Sequence, residues 1–325
     1  MLVSMPDIPA VELREIAHNY GTNPALQGVS FTVAQGEIFA LLGPNGGGKT
    51  TLFRILSTQM RANSGTALVL GVDLISDPAA ARQRMGIVFQ SPSLDPKLTA
   101  EENLLHQGHL YGLRGNDLKL RMNRALDAVK LSARSRDRVE KFSGGMQRRV
   151  EVAKALLHDP DLLLLDEPST GLDPHARLDV WSQLVRLREE NGVTSLLTTH
   201  LMEEAEKADR VAILHKGRIV AVGTPEKLKA TVGGEVVELQ SREAKRLQAG
   251  ISQKFGGDPV VIGTDTVRVE TSRVDGQPGA RLLVDIVEAF PGLVESGKVG
   301  KPTLEDVFVR CTGQRFTDGE QELVA

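Results

Sequence analysis

The chain has 325 residues, 41% of them hydrophobic and 25% charged, with a formal net charge of −3. That composition suits a globular protein with a sizeable core, in two domains or one large domain with an appendage, and gives no overall drive toward nucleic acid or anionic lipid. The single cysteine, Cys311, excludes an intrachain disulfide framework and a cysteine-based zinc site, and no apolar run approaches the length that crosses a bilayer.

The first seven residues lack the charged and apolar regions of a secretion signal, so the chain is expected in the cytoplasm, reaching a membrane only through a partner. Residues 11–16 and 29–33 alternate with the period of strands, with Gly21, Asn23, Pro24 and Gly36 marking turns. An apolar strand over 38–42 leads into a glycine-rich loop and a helix from Lys49 to about Ser57. Short strands follow over 65–90, with a helix at about 79–85 and a strand at 86–90. Residues 99–155 carry apolar positions at helical spacing, including 118–129. The run Leu162, Leu163, Leu164, Leu165 reads as a strand covered on both faces. A helix at 174–191 and a strand at 194–199 come next. Beyond about 225 the texture changes: strands are expected near 236–240, 266–270 and 299, and helices at 241–247 and 280–290. Together these predict an α/β core with a mostly parallel sheet over 1–225, a largely helical insert at about 91–155, and a small α+β domain over 226–325.

The chemistry is concentrated in the loop Gly43, Pro44, Asn45, Gly46, Gly47, Gly48, Lys49, Thr50, Thr51, which fits the phosphate-loop pattern behind a strand. Its glycines let backbone N–H groups face a polyphosphate, and the following helix adds its positive end. Lys49 is expected to reach the β- and γ-phosphates and Thr50 to hold Mg²⁺. Asp166 and Glu167 follow the leucine strand; Asp166 is expected to bind the metal through water, and Glu167 to act as general base or to position the attacking water. Alone, such an acidic strand end is commonplace; beside a phosphate loop it is specific. Ser143, Gly144, Gly145, Met146 and Gln147 form a second hydroxyl-and-glycine helix start. In isolation this is an ordinary N-cap. Beside the first site it suggests two subunits head to tail, each covering the other's γ-phosphate.

With these motifs in this order and spacing, residues 11–225 resemble the ATP-binding cassette (ABC) transporter ATPases. The resemblance implies that Tyr20 stacks on adenine, that Gln90 is the glutamine near Mg²⁺ and the water, and that Ser143 to Gln147 is the family signature. It also implies that Gly171, Leu172 and Asp173 form the loop between subunits, and that His200 contacts the γ-phosphate. Met146 and Gly47 depart from the commonest residues at their positions without removing a phosphate-binding amide. Residues 91–104, 110–113, 142–149 and 302–308 are similar to the daunorubicin-resistance type of exporter ATPases. That likeness implies a separate membrane permease docked on the helical insert, a peripheral place on the cytoplasmic face of the membrane, and an ATP-dependent homodimer. The cargo would be drug-, antibiotic-, lipid- or glycan-like. The C-terminal domain, without a catalytic constellation, is expected to stabilise the dimer or regulate it.

The basic run Arg134, Arg136, Arg138, Lys141, Arg148 and Arg149 admits contact with acidic lipid or nucleic acid, or a solvated helix face; the interspersed Asp137 and Glu140 favour the latter, and no nucleic-acid partner is expected. A soluble cassette ATPase of translation or DNA repair and a nucleotide-dependent regulatory module with negligible turnover are the competing functions. The single cassette without sustained heptads stands against the first, and Glu167 with His200 against the second.

Overall fold

This computed structural model describes residues 8–274 and 277–316; the N-terminal residues 1–7, read for a secretion signal, lie outside the described residues. In chain order the first half comprises β1 (Val11–Tyr20), β2 (Asn23–Val33), β3 (Ile38–Leu42), α1 (Lys49–Leu56), β4 (Ser64–Val69), β5 (Val72–Asp73), α2 (Pro78–Gln83), β6 (Met85–Val88), α3 (Ala100–Leu110), α4 (Gly115–Ala128) and α5 (Gly144–Leu156). Then follow β7 (Leu162–Asp166), α6 (Pro174–Asn191), β8 (Thr194–Thr199), α7 (Met202–Ala205), β9 (Arg210–His215), β10 (Arg218–Gly223) and α8 (Pro225–Val232). The C-terminal elements are β11 (Val236–Gln240), α9 (Ala244–Phe255), β12 (Val260–Ile262), β13 (Thr266–Glu270), α10 (Gly279–Ala289), β14 (Ser296–Gly300) and α11 (Leu304–Thr312).

The central sheet runs β10-β9-β3-β8-β7-β6. Its strands from β9 to β6 are parallel, and β10 closes one edge as an antiparallel hairpin partner of β9. Side chains alternate across such a sheet, so its strands feed two cores. In β7, Leu163 and Leu165 pack with the helical insert, whereas Leu162 and Leu164 pack under the second sheet. That second sheet, β2-β1-β4-β5, is antiparallel and lies over Phe39 and Leu41 of β3. The Phe31 and Phe39 rings stack across the two layers at 5.1 Å.

Several boundaries differ from the sequence reading. Met85 pairs with Leu162 and so belongs to β6, which stops the preceding helix at Gln83; β6 itself ends at Val88, two residues before Gln90. Asn23 and Pro24 lie in β2 rather than in a turn, opposite Tyr20 and Asn19. The helix expected at 241–247 begins at Ala244, because the Ser241 hydroxyl accepts from the Glu243 amide in a turn, and continues until Gly256 at φ 73°. The short strand β12 and the helices α8 and α11 were not anticipated, although α11 carries a helical pattern, with Leu304, Val307 and Phe308 on one side behind a Thr303–Asp306 capping box.

The C-terminal sheet, β12-β13-β11-β14, packs α9 and α10 against Val267 and Val269 of β13. Its opposite face carries Arg268, 2% exposed, which meets Asp306 of α11 at 2.9 Å and Glu270 at 3.6 Å. The other side of α11 is apolar: Leu304, Val307 and Phe308 share the cassette core with Leu228 and Val232 of α8. So α11 is joined to the C-terminal sheet by ion pairs and to the cassette by burial. Phe308→Ala should therefore cost the cassette about 3–5 kcal/mol, the usual loss for a buried Phe. Urea unfolding followed by the fluorescence of Trp181, the single tryptophan, which packs on that core, checks this: its midpoint should fall.

Candidate functional site

Adjacent parallel strands end on the same edge of the sheet, and the sequence places a polar motif at each of those ends. β3 delivers the phosphate loop, β8 His200, β7 Asp166 and Glu167, and β6 Gln90. Register keeps them level: Leu42 lies opposite Thr199, and Asp166 opposite Thr198. The β1–β2 hairpin turns over at Gly21 and sets Tyr20 at the rim. Tyr20, Asn45, Gly46, Gly48, Lys49, Thr50, Thr51, Gln90 and Glu167 together line one cleft of about 350 Å³. That volume lies within the range of about 300–1,000 Å³ usual for small-molecule sites.

The loop's shape depends on close packing. Gly48 caps α1 at φ 107°, and a Cβ there would lie 2.7 Å from the Ala25 carbonyl oxygen. The carbonyls of Gly43 and Pro44 curl back to accept from Lys49 Nζ at 2.7 and 3.1 Å, and the Gly47 amide donates to Pro44 at 3.1 Å. Tyr20 keeps 46% of its surface exposed, and its hydroxyl lies 3.5 Å from Thr51 Oγ1.

Glu167 is the meeting point of the cleft. Lys49 Nζ lies 3.3 Å from its Oε1, and His200 Nδ1 is 3.1 Å from its Oε2, though off the line of a hydrogen bond. Thr170 donates to Oε2 at 3.1 Å, and Gln90 Nε2 at 3.4 Å. Burial works to raise the pKa of this carboxyl, but the charges of Lys49 and His200 and the Thr170 bond outweigh it and hold it below the ordinary glutamate value. Its neighbour goes the other way: burial pushes Asp166 above the ordinary aspartate value, and the Glu167 charge adds to this, against the Thr198 hydrogen bond and Lys49. Thr198 Oγ1 donates to Asp166 Oδ1 at 2.6 Å and accepts from the Glu167 amide at 3.0 Å, so one buried hydroxyl fixes both acids.

The signature segment lies elsewhere: Ser143, Gly144, Gly145 and Met146 do not line the cleft. The Ser143 hydroxyl caps α5 by accepting from the Met146 amide at 3.3 Å, and Asp173 caps α6 through the Ala176 amide at 2.9 Å. Gly145 is also needed for packing, since a Cβ there would come 2.7 Å from Ala176 Cβ, while one on Gly144 would lie 3.3 Å from the flexible end of Leu172.

One expectation is overturned. Arg148 does not lie on a solvated face; it is 7% exposed and bonds to the backbone around the acidic pair. Arg148 and Glu151 stand three residues apart, a spacing that signals an ion pair on one helix face but not whether that face is buried. Arg134 and Arg138 keep the surface pairing expected, with Asp137 and Glu140. Thr198 was also missed. Its signal was a polar residue in a strand otherwise covered on both faces, where Thr194, Ser195, Thr198 and Thr199 are all at most 1% exposed. The remaining missed lining, Asn23, Pro24 and Ala25, comes from the hairpin beside Tyr20.

A phosphate loop on one parallel strand, with an acidic pair on the next strand but one and β8 between them, defines a phosphate-loop nucleotide hydrolase. The family model described as ABC transporter matches residues 26–170. The chain is 37% identical over 316 residues to the Nod factor export ATP-binding protein I of Rhizobium meliloti (strain 1021), covering 95% of this chain and 90% of that protein. It is 38% identical over 309 residues to the daunorubicin resistance ATP-binding protein DrrA3 of Streptomyces coeruleorubidus, covering 90% and 93%. A cassette from Clostridium perfringens that is part of an ABC transporter complex superimposes with a TM-score of 0.64 at 26% identity, over 76% of this chain and 95% of that one. A dimeric bacterial ABC transporter cassette superimposes with a TM-score of 0.59 at 27% identity, over 66% and 98%. The chain belongs to the ABC transporter family of ATP-binding proteins, in its group of exporter subunits; it binds ATP and is an ATPase.

Because Lys49 is a major force lowering the Glu167 pKa, Lys49→Met should raise it, leaving burial opposed chiefly by His200 and Thr170. Carboxyl NMR titration, with the resonance assigned by its loss in Glu167→Gln, checks the sign. In the unaltered protein the carboxyl should stay ionised to a pH below the ordinary glutamate value.

Proposed function

We propose that two copies of this chain work head to tail beneath a separate membrane permease, coupling ATP hydrolysis to export of a drug-, antibiotic-, lipid- or glycan-like cargo. The observation that carries this is the convergence of Lys49, Gln90 and His200 on Glu167, a carboxylate that lines the cleft, while Ser143 and its glycines stand outside it. One chain thus holds a phosphate cradle and an acid, and presents a second anion-binding helix start for another copy to use. The dimeric cassette among the similar structures supports the pairing.

In this reading adenine stacks on the exposed ring of Tyr20, and the amides from Gly43 to Thr51 with Lys49 cradle the phosphates. Ser143, Gly144, Gly145 and Met146 of a second copy cover the γ-phosphate, and Asp173 lies at the junction. Glu167 takes the proton of the attacking water or aligns it, with Gln90 and His200 holding the water and the γ-phosphate in line. A γ-phosphate near Lys49 brings negative charge toward Glu167 and so shifts its lowered pKa upward, toward the range of a working base. Thr50, Gln90 and, through water, Asp166 would hold Mg²⁺; hydroxyl, amide and carboxylate oxygens are the donors that hard cation takes, and its charge would offset the burial that disfavours an ionised Asp166. The bound cation would neutralise phosphate charge.

We assign the nucleotide-binding domain to 1–225, with its helical part at about 91–155, and an accessory domain to 226–325. A permease docks on the helical part, where Leu110 is 83% exposed, Leu120 57% and Tyr111 40%, on the module that also carries the segment after Gln90. The subunit sits on the cytoplasmic face of the membrane, held there by its permease; the described residues contain no helix long and apolar enough to cross a membrane. The relatives' roles in Nod factor export and daunorubicin resistance support a glycan-, lipid- or drug-like cargo.

Glu167→Gln should lower kcat by about 10²–10⁴-fold, the usual contribution of a positioned acid or base, and stabilise the ATP-bound pair. Purified from native membranes, that variant should bring down a polytopic membrane protein. Recovery with ribosomes or DNA alone would overturn the transport reading.

A further inference from the structure

We infer that Arg148 is a positioning residue for hydrolysis: from the signature helix it fixes the backbone on both sides of Glu167 and next to Gln90. Its guanidinium donates from Nη2 to the Asp166 carbonyl at 3.0 Å, from Nε to the Pro168 carbonyl at 2.9 Å and from Nη1 to the Phe89 carbonyl at 2.5 Å. These are the residues before and after Glu167 and the residue before Gln90. The inference rests on the reading of Glu167 as the group that activates or aligns water.

The side chain suits the task. Arginine is a rigid planar fork with five N–H donors, always charged, and able to hold several divergent carbonyls at fixed spacing. A buried charge must be balanced, and Glu151, 5% exposed, supplies the counter-charge at 2.6 Å. The other oxygen of Glu151 accepts from the Ser93 amide at 2.7 Å, and Lys154 Nζ donates to the Ser93 carbonyl at 2.7 Å. Helix α5 therefore grips the segment after β6 at Phe89 and again at Ser93, with Gln90 in the span between.

Backbone strain explains why such a clamp is needed. Glu167 has φ 43°, a strained left-handed conformation that a glutamate keeps only where its surroundings over-determine it. The Arg148 bonds at Asp166 and Pro168 and the Thr198 bond to the Glu167 amide supply that determination. The same helix begins at Ser143, and its first glycines abut Leu172 and Ala176. Contact of another subunit with the signature segment thus bears on the element that aims Glu167. Arg148 does not line the nucleotide cleft, so its loss should fall on turnover rather than on ATP affinity.

The test uses the full chain with Mg-ATP. Arg148→Met alone strands Glu151 as an unpaired buried charge, so the double change Arg148→Met with Glu151→Leu is measured beside it. The double variant should keep ATP affinity and KM within about twofold and lose about tenfold or more in kcat, since a displacement of about 1 Å at a reacting group can cost on the order of 10²-fold. Arg149→Gln, one residue along and directed at the Val129 carbonyl, should stay near the unaltered rate. A folded double variant with kcat within about twofold of the unaltered chain, or one whose kcat and ATP affinity fall together, overturns the inference. Glu167→Gln is assayed in parallel. If it turns over as fast as the unaltered chain, the assignment of Glu167 fails and this inference with it; if it is inactive while the double variant is not, the role of Arg148 alone fails.

Discussion

Glu167 lies 9% exposed at the end of a buried strand, in a left-handed backbone conformation. A carboxylate so placed is stable only if charge and hydrogen bonds replace the water it has lost. Lys49 supplies the opposite charge, Thr170 and Gln90 the side-chain donors, and Thr198 a fixed acceptor for its amide. These partners come from different strands and loops, so satisfying one carboxylate draws the phosphate loop, the end of β6 and the end of β8 into a single site. The same requirement explains the opposite behaviour of the two adjacent acids. Asp166 has less favourable charge about it and is pushed toward its neutral form, whereas Glu167 is held ionised.

The parallel sheet makes that convergence cheap. Strands β3, β8, β7 and β6 are neighbours and run the same way, so residues far apart in sequence meet at one edge without any long loop having to fold back. The leucine strand β7 is buried on both faces because it divides two cores, and this rigidity is what lets a strained residue sit immediately beyond it. Helix α5 then braces the acidic turn from the helical side, with a buried arginine paired to the buried Glu151.

The C-terminal elements follow a different rule. One face of their sheet has its own apolar core, and the other meets α11 through Arg268, Asp306, Glu270 and Arg310. A seam held by buried ion pairs is directional: each pair is costly to desolvate and rewards one geometry. Since α11 also belongs to the cassette core through Phe308, it sets how the C-terminal sheet sits against the cassette.

The sequence by itself determined the phosphate loop, the acidic strand end, the parallel character of the core and the helices at 49–56 and 174–191. These are local signals: a strand buried on both faces reads as continuous apolar residues, and Asp173, Pro174 and Gly192 cap one helix unambiguously. Tyr20, Gln90 and His200 were legible only through likeness to a family, because nothing local distinguishes them from other polar residues at strand ends. Strand β12 and helix α8 are short and draw their stability from partners distant in the chain, whereas α11 had local signals that went unread, its Thr303 capping box and apolar residues at 304, 307 and 308. The tertiary structure alone decided that Arg148 is buried, that Thr198 joins both acids, and that the signature glycines stand outside the cleft of their own chain. Each depends on which strand or helix lies next to which, and a charge pattern on one helix cannot tell solvent from a neighbouring carbonyl until that neighbour is in place.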